Sequence, residues 1–158
     1  KKMGEENILK INPSKSLIIR TSWLYSQFGS NFVKTILQLK NNSTTKIVDD
    51  QIGSPTSTRS LVECILKIIP RMKNSDVEIY HYSNKGECTW FDFASHIYKL
   101  TYGESKICPV SSKEYKQKAI RPNYGVLCCD KIKNDYGIVI PSWENELKNV
   151  LSKLNFQI

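Results

Sequence analysis

Apolar residues along the chain alternate between two spacings. Short, dense runs read as strands over residues 16–21, 46–48, 78–82 and 106–110. Stretches with helical spacing lie between them, over residues 1–10, 32–40, 58–72, 90–100, 130–136 and 143–154. Punctuation supports the assignment. Asn31, Thr56 or Ser57, Thr89 and Ser142 stand at helix starts, where a side-chain oxygen can accept from the first free N–H groups. Asn12-Pro13, Asn41-Asn42-Ser43, Gly103 and Gly137 stand at helix ends. The inward stripes predicted are Phe32, Val33, Ile36, Leu37 and Leu39, then Leu61, Val62, Ile65, Leu66, Ile68 and Ile69, then Trp90, Phe93, Ala94, Ile97 and Tyr98.

Leu17-Ile18-Ile19 is uninterrupted, which predicts a strand buried on both faces, as in a parallel sheet. Helix, short turn and buried strand form the second half of a βαβ unit, so the chain is expected to start partway through an α/β fold. The segments 22–29, 49–56, 83–87 and 111–127 read as loops and turns. The first of these follows the carboxyl end of a buried strand, where open α/β sheets hold their ligands. Pro109 places the strand over 106–110 at a sheet edge or strand end.

Composition narrows the class. The 158 residues, 40% hydrophobic and 24% charged, suit a folded domain with a core, and exclude disorder as the dominant state. No apolar stretch approaches the roughly 18 residues of a membrane span, and no apolar segment follows Lys1-Lys2 as in a secretory leader. Cys64, Cys88, Cys108, Cys128 and Cys129 are odd in number and lack metal-ligand spacing, so reduced, mostly buried thiols and a cytoplasmic location are expected. The net charge of +8 invites a nucleic-acid partner, but the lysines are scattered and no nucleic-acid motif accompanies them. Lys113, Lys116, Lys118 and Arg121 form the one cluster that suits a phosphate.

Taken alone, the residues give no reaction. His81 and His96 fall in a strand and a helix and read as structural. Asp49-Asp50 suits a cation or, better, a turn with capping carboxylates. Trp23 is either core or a stacking wall for a ligand. The candidate ligand loops are those at Trp23, at 49–56 and at Arg121.

Those three loops carry a resemblance. Arg20-Thr21-Ser22-Trp23-Leu24-Tyr25, Gly29-Ser30-Asn31-Phe32-Val33-Lys34-Thr35 and Val48-Asp49-Asp50-Gln51-Ile52-Gly53-Ser54-Pro55-Thr56 are similar to the dTDP-4-dehydrorhamnose reductases, which are extended short-chain dehydrogenases/reductases. The likeness continues through Ile79-Tyr80-His81, Thr89-Trp90-Phe91-Asp92-Phe93-Ala94 and Arg121-Pro122 to Ile140-Pro141-Ser142-Trp143. Lys1-Lys2-Met3-Gly4-Glu5 resembles the end of the family's Tyr-x-x-x-Lys-x-x-Gly-Glu run, which puts the tyrosine and the glycine-rich dinucleotide loop outside these residues. The chain departs from the family at Lys116-Gln117-Lys118 after Tyr115, where Pro-Thr-Pro is usual, and at Gly125, where serine is usual.

The resemblance implies the C-terminal part of a Rossmann-like parallel sheet plus a small α/β substrate-binding domain. Residues 1–45 would be the remnant of the NAD(P)-binding domain and 46–158 the sugar-nucleotide-binding portion. It implies reduction of dTDP-4-dehydro-L-rhamnose to dTDP-L-rhamnose by NADPH or NADH, with these residues alone inactive. Lys1 would take the catalytic lysine role and bind cofactor with Thr21 and Ser22. Trp23, Asn31, Phe32, Gln51, Gly53 and Arg121 would bind the sugar nucleotide, with Arg121 facing the diphosphate. A metal is not expected; a homodimer is left open. A reductase of another dTDP-4-keto sugar, and a non-catalytic regulatory subunit of methionine adenosyltransferase type, remain as alternatives.

Overall fold

The computed structural model describes residues 1–39, 44–103, 107–115, 119 and 121–157. In chain order its elements are α1 (Lys2–Ile11), β1 (Leu17–Thr21), β2 (Leu24–Tyr25), α2 (Phe32–Gln38), β3 (Thr45–Val48), β4 (Ile52–Gly53) and β5 (Thr56–Ser57). There follow α3 (Thr58–Ile68), a 3-10 turn (Ile69–Arg71), β6 (Glu78–Tyr82), β7 (Cys88–Thr89), α4 (Trp90–Thr101), β8 (Ile107–Val110), α5 (Asp130–Tyr136) and α6 (Trp143–Lys153).

The strands pair across long sequence separations. β1 runs parallel to β6, with Leu17 opposite Glu78 and Thr21 opposite Tyr82. β2 runs parallel to β5, and β3 to β8. β4 and β7 are antiparallel. Parallel pairs separated by helices are the expected α/β arrangement. Two of the predicted loops contain strands: β2 lies within 22–29, and β4 lies within 49–56, at whose end β5 begins, while β7 follows the predicted turn over 83–87. Each is two residues long, too short to impose an alternating apolar pattern.

Two cores hold these pairs. In one, Tyr25, Val33, Ile36, Ile47, Phe93, Ile97, Trp143, Leu147 and Leu151 join β2, α2, β3, α4 and α6. In the other, Cys64, Ile68, Tyr80, Tyr82, Ile132 and Tyr136 join α3, β6 and α5. The stripes of α2 and α4 face inward as predicted. The stripe of α3 does so only in part: Ile68 is buried and Leu61 packs against the second core, whereas Val62, Leu66 and Ile69 are exposed and Ser60 and Cys64 are buried in their place. The helix also ends four residues early, because Pro70 has no N–H and tightens the chain into the 3-10 turn. The burial of β1 on both faces is not met among the described residues. Leu17, Ile18 and Ile19 are half-buried, Arg20 is exposed and paired with Glu5 at 2.6 Å, and α1 buries no residue. Three of the five cysteines are buried, as expected of reduced thiols, while Cys108 and Cys128 are exposed. Asn41-Asn42-Ser43, Lys40, Lys106, Lys116 and Lys118 lie outside the described residues.

Caps fix the helix starts. Asn31 accepts from the Lys34 N–H, Ser142 accepts from the Asn145 N–H, and Thr89 forms a reciprocal box with Asp92. Ser57 occupies the N-cap position of α3 but makes no capping bond. Its own N–H donates to Asn84 Oδ1 at 2.7 Å. Asn84 Nδ2 donates to Ser60 Oγ at 3.0 Å and to the Pro141 carbonyl at 3.2 Å. This buried amide therefore ties the end of β6 to the start of α3 and to the segment before α6. Replacing it orphans the buried Ser57 N–H, a change that costs roughly 1–3 kcal/mol. Asn84→Ala is expected to lower the urea midpoint accordingly, and an unchanged midpoint would contradict this account.

Candidate functional site

The loop after β1 is bound to the loop before α3. Ser22 Oγ donates to the Ser54 carbonyl at 3.0 Å, and the Thr56 N–H donates to the Trp23 carbonyl at 3.1 Å. Between these bonds Trp23 takes φ +46°, in the left-handed region. That conformation costs a side-chain-bearing residue on the order of 1–2 kcal/mol. The backbone turn redirects the indole onto Trp90, with ring centroids 3.5 Å apart and planes 11° from parallel. Phe32 supports Trp90 from 4.6 Å and stacks on Phe93 at 5.6 Å. Position 53 must stay bare: a Cβ there would lie 2.5 Å from Trp23 Cε2 and 2.8 Å from its Nε1.

An open cavity of about 380 Å³ lies at this stack, lined by Trp23, Gln51, Ile52, Trp90, Arg121, Pro122 and Gly125. β4 forms one wall, and residues 121–125 are strapped to it. The Ile52 N–H donates to the Asn123 carbonyl at 2.7 Å, and the Gly125 N–H returns to the Ile52 carbonyl at 2.9 Å. The outer end is latched by Tyr124, whose hydroxyl donates to Glu87 Oε2 at 2.8 Å. The lining offers two indoles, one amide and one guanidinium. Such a set suits a ring that stacks on an aromatic face and carries an anionic group.

The predicted site residues therefore separate into groups. Trp23, Gln51 and Arg121 line the cavity, and Gly53 lies against the Trp23 indole. Phe32 lies behind it, against Trp90. Asn31 is occupied as the α2 cap, and its Nδ2 donates to the Ser26 carbonyl at 2.8 Å. Thr21 ends β1 with its Oγ1 buried and without a hydrogen-bond partner in the structure. Lys1 is exposed at the N-cap of α1. Asp49 and Asp50 tie their turn to remote segments rather than cap a helix. Asp49 accepts from the Thr89 hydroxyl at 2.7 Å, and Asp50 accepts from the Ser112 N–H at 2.9 Å and its hydroxyl at 2.9 Å. No group of three or more possible metal-ligating side chains occurs among the described residues. Of the basic cluster, Arg121 lines the cavity and Lys113 lies on the surface. Sequence reasoning missed the role of Trp90, which its helical stripe places with the core. The signal lay in its position directly after the Thr89 cap, at a helix start where a large ring can project from the bundle.

Comparison with known proteins gives these features a family. The RmlD substrate binding domain profile matches residues 1–156, and the chain belongs to this family. It is 39% identical to the spore coat polysaccharide biosynthesis protein SpsK of Bacillus subtilis, covering 97% of this chain and 52% of that protein. It is 35% identical to dTDP-4-dehydrorhamnose reductase of Sinorhizobium fredii, covering 94% of this chain and 53% of that protein. A solved structure of dTDP-4-dehydrorhamnose reductase from Bacillus anthracis, in complex with NADP, is 37% identical with a TM-score of 0.84, covering 96% of this chain and 53% of that one. The chain thus spans about half the length of the curated relatives it matches, and its α/β fold is that of these reductases. No described helix is long and apolar enough to cross a membrane.

Two outcomes follow. Gly53→Ala forces the Trp23 indole off Trp90 and is expected to cost roughly 1–3 kcal/mol, as overpacking does, with a shift in tryptophan emission. Unchanged emission and stability would show that the indole is not confined there. The Ser112 N–H foremost, then its hydroxyl and the nearby Lys113, hold the Asp50 carboxyl below the usual 3.8 against the opposing effect of burial. A depressed folded value contributes stability above the ordinary value and loses it as pH falls through the folded one. The stability gap between the native chain and Asp50→Asn is therefore expected to be full at neutral pH and to close as the pH is taken below 3.8. A gap unaffected by acid, followed by urea denaturation across that range, would contradict the bond.

Proposed function

We propose that these residues are the sugar-nucleotide-binding part of a reductase that converts dTDP-4-dehydro-L-rhamnose to dTDP-L-rhamnose. One observation carries the reading: Trp23 and Arg121 line the same cavity, so a ring-stacking surface and a diphosphate-binding fork sit together. Similarity to reductases named for this substrate supports it.

In this reading Trp23 orients the sugar ring and Arg121 holds the diphosphate. The Gln51 side chain lies within the same lining, and Gly53 keeps the wall open. Thr21 presents a buried hydroxyl without a partner at the carboxyl end of β1, which fits a polar group of a nicotinamide cofactor on that side. Ser22 spends its proton on the Ser54 carbonyl and has lone pairs left to accept with. Lys1 would hydrogen-bond the cofactor ribose and, by its charge, lower the pKa of a neighbouring tyrosine that gives up the proton. The cofactor, NADPH or NADH, supplies the hydride when bound. Residues 1–45 serve the cofactor side and 46–158 the sugar nucleotide, with Trp23 lent across by the pairing of β2 with β5.

Calorimetric titration of dTDP and dTDP-L-rhamnose tests this. Saturable binding of both is expected. Trp23→Ala is expected to weaken dTDP-L-rhamnose about tenfold and to spare dTDP, while Arg121→Ala weakens both by roughly ten- to a hundredfold. Failure of either nucleotide to bind the folded chain would overturn the proposal.

A further inference from the structure

We propose that Trp90 is a positioning residue, which acts on the ligand through Trp23 by holding its indole in one pose as the wall of the cavity. The inference deepens the proposed function and rests on it for the identity of the ligand. Its basis is geometric. Trp23 and Trp90 lie nearly face to face at 3.5 Å, whereas the Tyr25, Phe93 and Trp143 rings of the adjoining core meet edge to face. The other inward residues of α4, Phe93, Ala94 and Ile97, are fully enclosed, but Trp90 is half-buried and reaches the cavity.

The restraints on Trp23 are complementary. Its backbone is set by the left-handed turn and the bond from Thr56, which leaves the side-chain torsions free. Bare Gly53 makes room for the indole, and Trp90 closes off one of its faces. Trp90 is itself anchored at the first turn of α4 by the Thr89–Asp92 box, and Asp49 grips the same Thr89 hydroxyl at 2.7 Å. The carboxylate run before β4 thus acts on the cavity without entering it. With one face of Trp23 covered, a sugar meets the two indoles as a single block, and the pose of that block sets how the ring is held.

The test uses Trp90→Leu, Trp90→Phe and Trp23→Leu in the full chain. Circular dichroism reads the exciton coupling of the stacked indoles, and calorimetry reads the ratio of dTDP-L-rhamnose to dTDP affinity. Coupling is expected in the native chain and is lost in both leucine variants. Trp90→Leu is expected to shrink the sugar-dependent ratio by roughly two- to tenfold, with dTDP affinity held, since an aromatic pair contributes about that much. Trp90→Phe is expected to restore the ratio, which a merely structural role would not predict. Absence of coupling in the native chain, or an unchanged ratio in a folded Trp90→Leu, overturns the inference. If neither nucleotide binds while coupling is present and responds to Trp90, the substrate reading fails and the restraint of Trp23 stands.

Discussion

The candidate site depends on a steric constraint at residue 53. β4 passes so close to the Trp23 indole that a single methyl group would overlap the ring. Bare backbone at that point lets the ring reach Trp90, and the ring in turn fills the space that a side chain would have taken. The left-handed turn at Trp23 is unfavourable in isolation. It is retained because hydrogen bonds on both sides of the turn and the aromatic stack beyond it are satisfied only in that conformation.

From this point the surrounding structure follows in short steps. The pairs β2–β5 and β4–β7 are two residues each and contribute little as sheet. Their value is positional: they bring three separate stretches of sequence, 24–25, 52–57 and 88–89, to one place. Asn84 and the Ile52 backbone perform the same task from opposite sides, one inside the core and one at the cavity wall. Burying the aromatic bodies of Phe32, Phe93 and Trp143 behind the stack supplies the apolar driving force that the strands lack. The chemistry of binding is therefore placed on loops, while α2, α4 and α6 provide the rigid backing.

Much of this was legible in the sequence. Helix positions and caps at Asn31, Thr89 and Ser142 follow from local chemistry, because a capping side chain acts within three residues. The loops at Trp23, 49–56 and Arg121 were legible as ligand loops from the residues alone, but the roles of Trp23, Gln51, Gly53 and Arg121 within them were legible only through resemblance, since pairings between remote segments leave no periodic trace. Asn31 shows the limit of such transfer: it sits in the right motif and spends its side chain on the α2 cap. Val62 and Leu66 show the limit of periodicity. Their helix is amphipathic, yet its buried line runs through Ser60, Cys64 and Ile68, because the Asn84 amide draws Ser60 inward. Trp90 was hidden for a related reason, as one residue serving both a helix stripe and a cavity wall.

The most direct test is to label the indole nitrogens of Trp23, Trp90 and Trp143 and follow their resonances as dTDP-L-rhamnose and then dTDP alone are added. The account requires the Trp23 and Trp90 signals to move together with the sugar nucleotide, to move less with dTDP, and the buried Trp143 signal to stay. Saturable binding that leaves the Trp23 and Trp90 signals in place would show that the ligand is held elsewhere and would contradict the account.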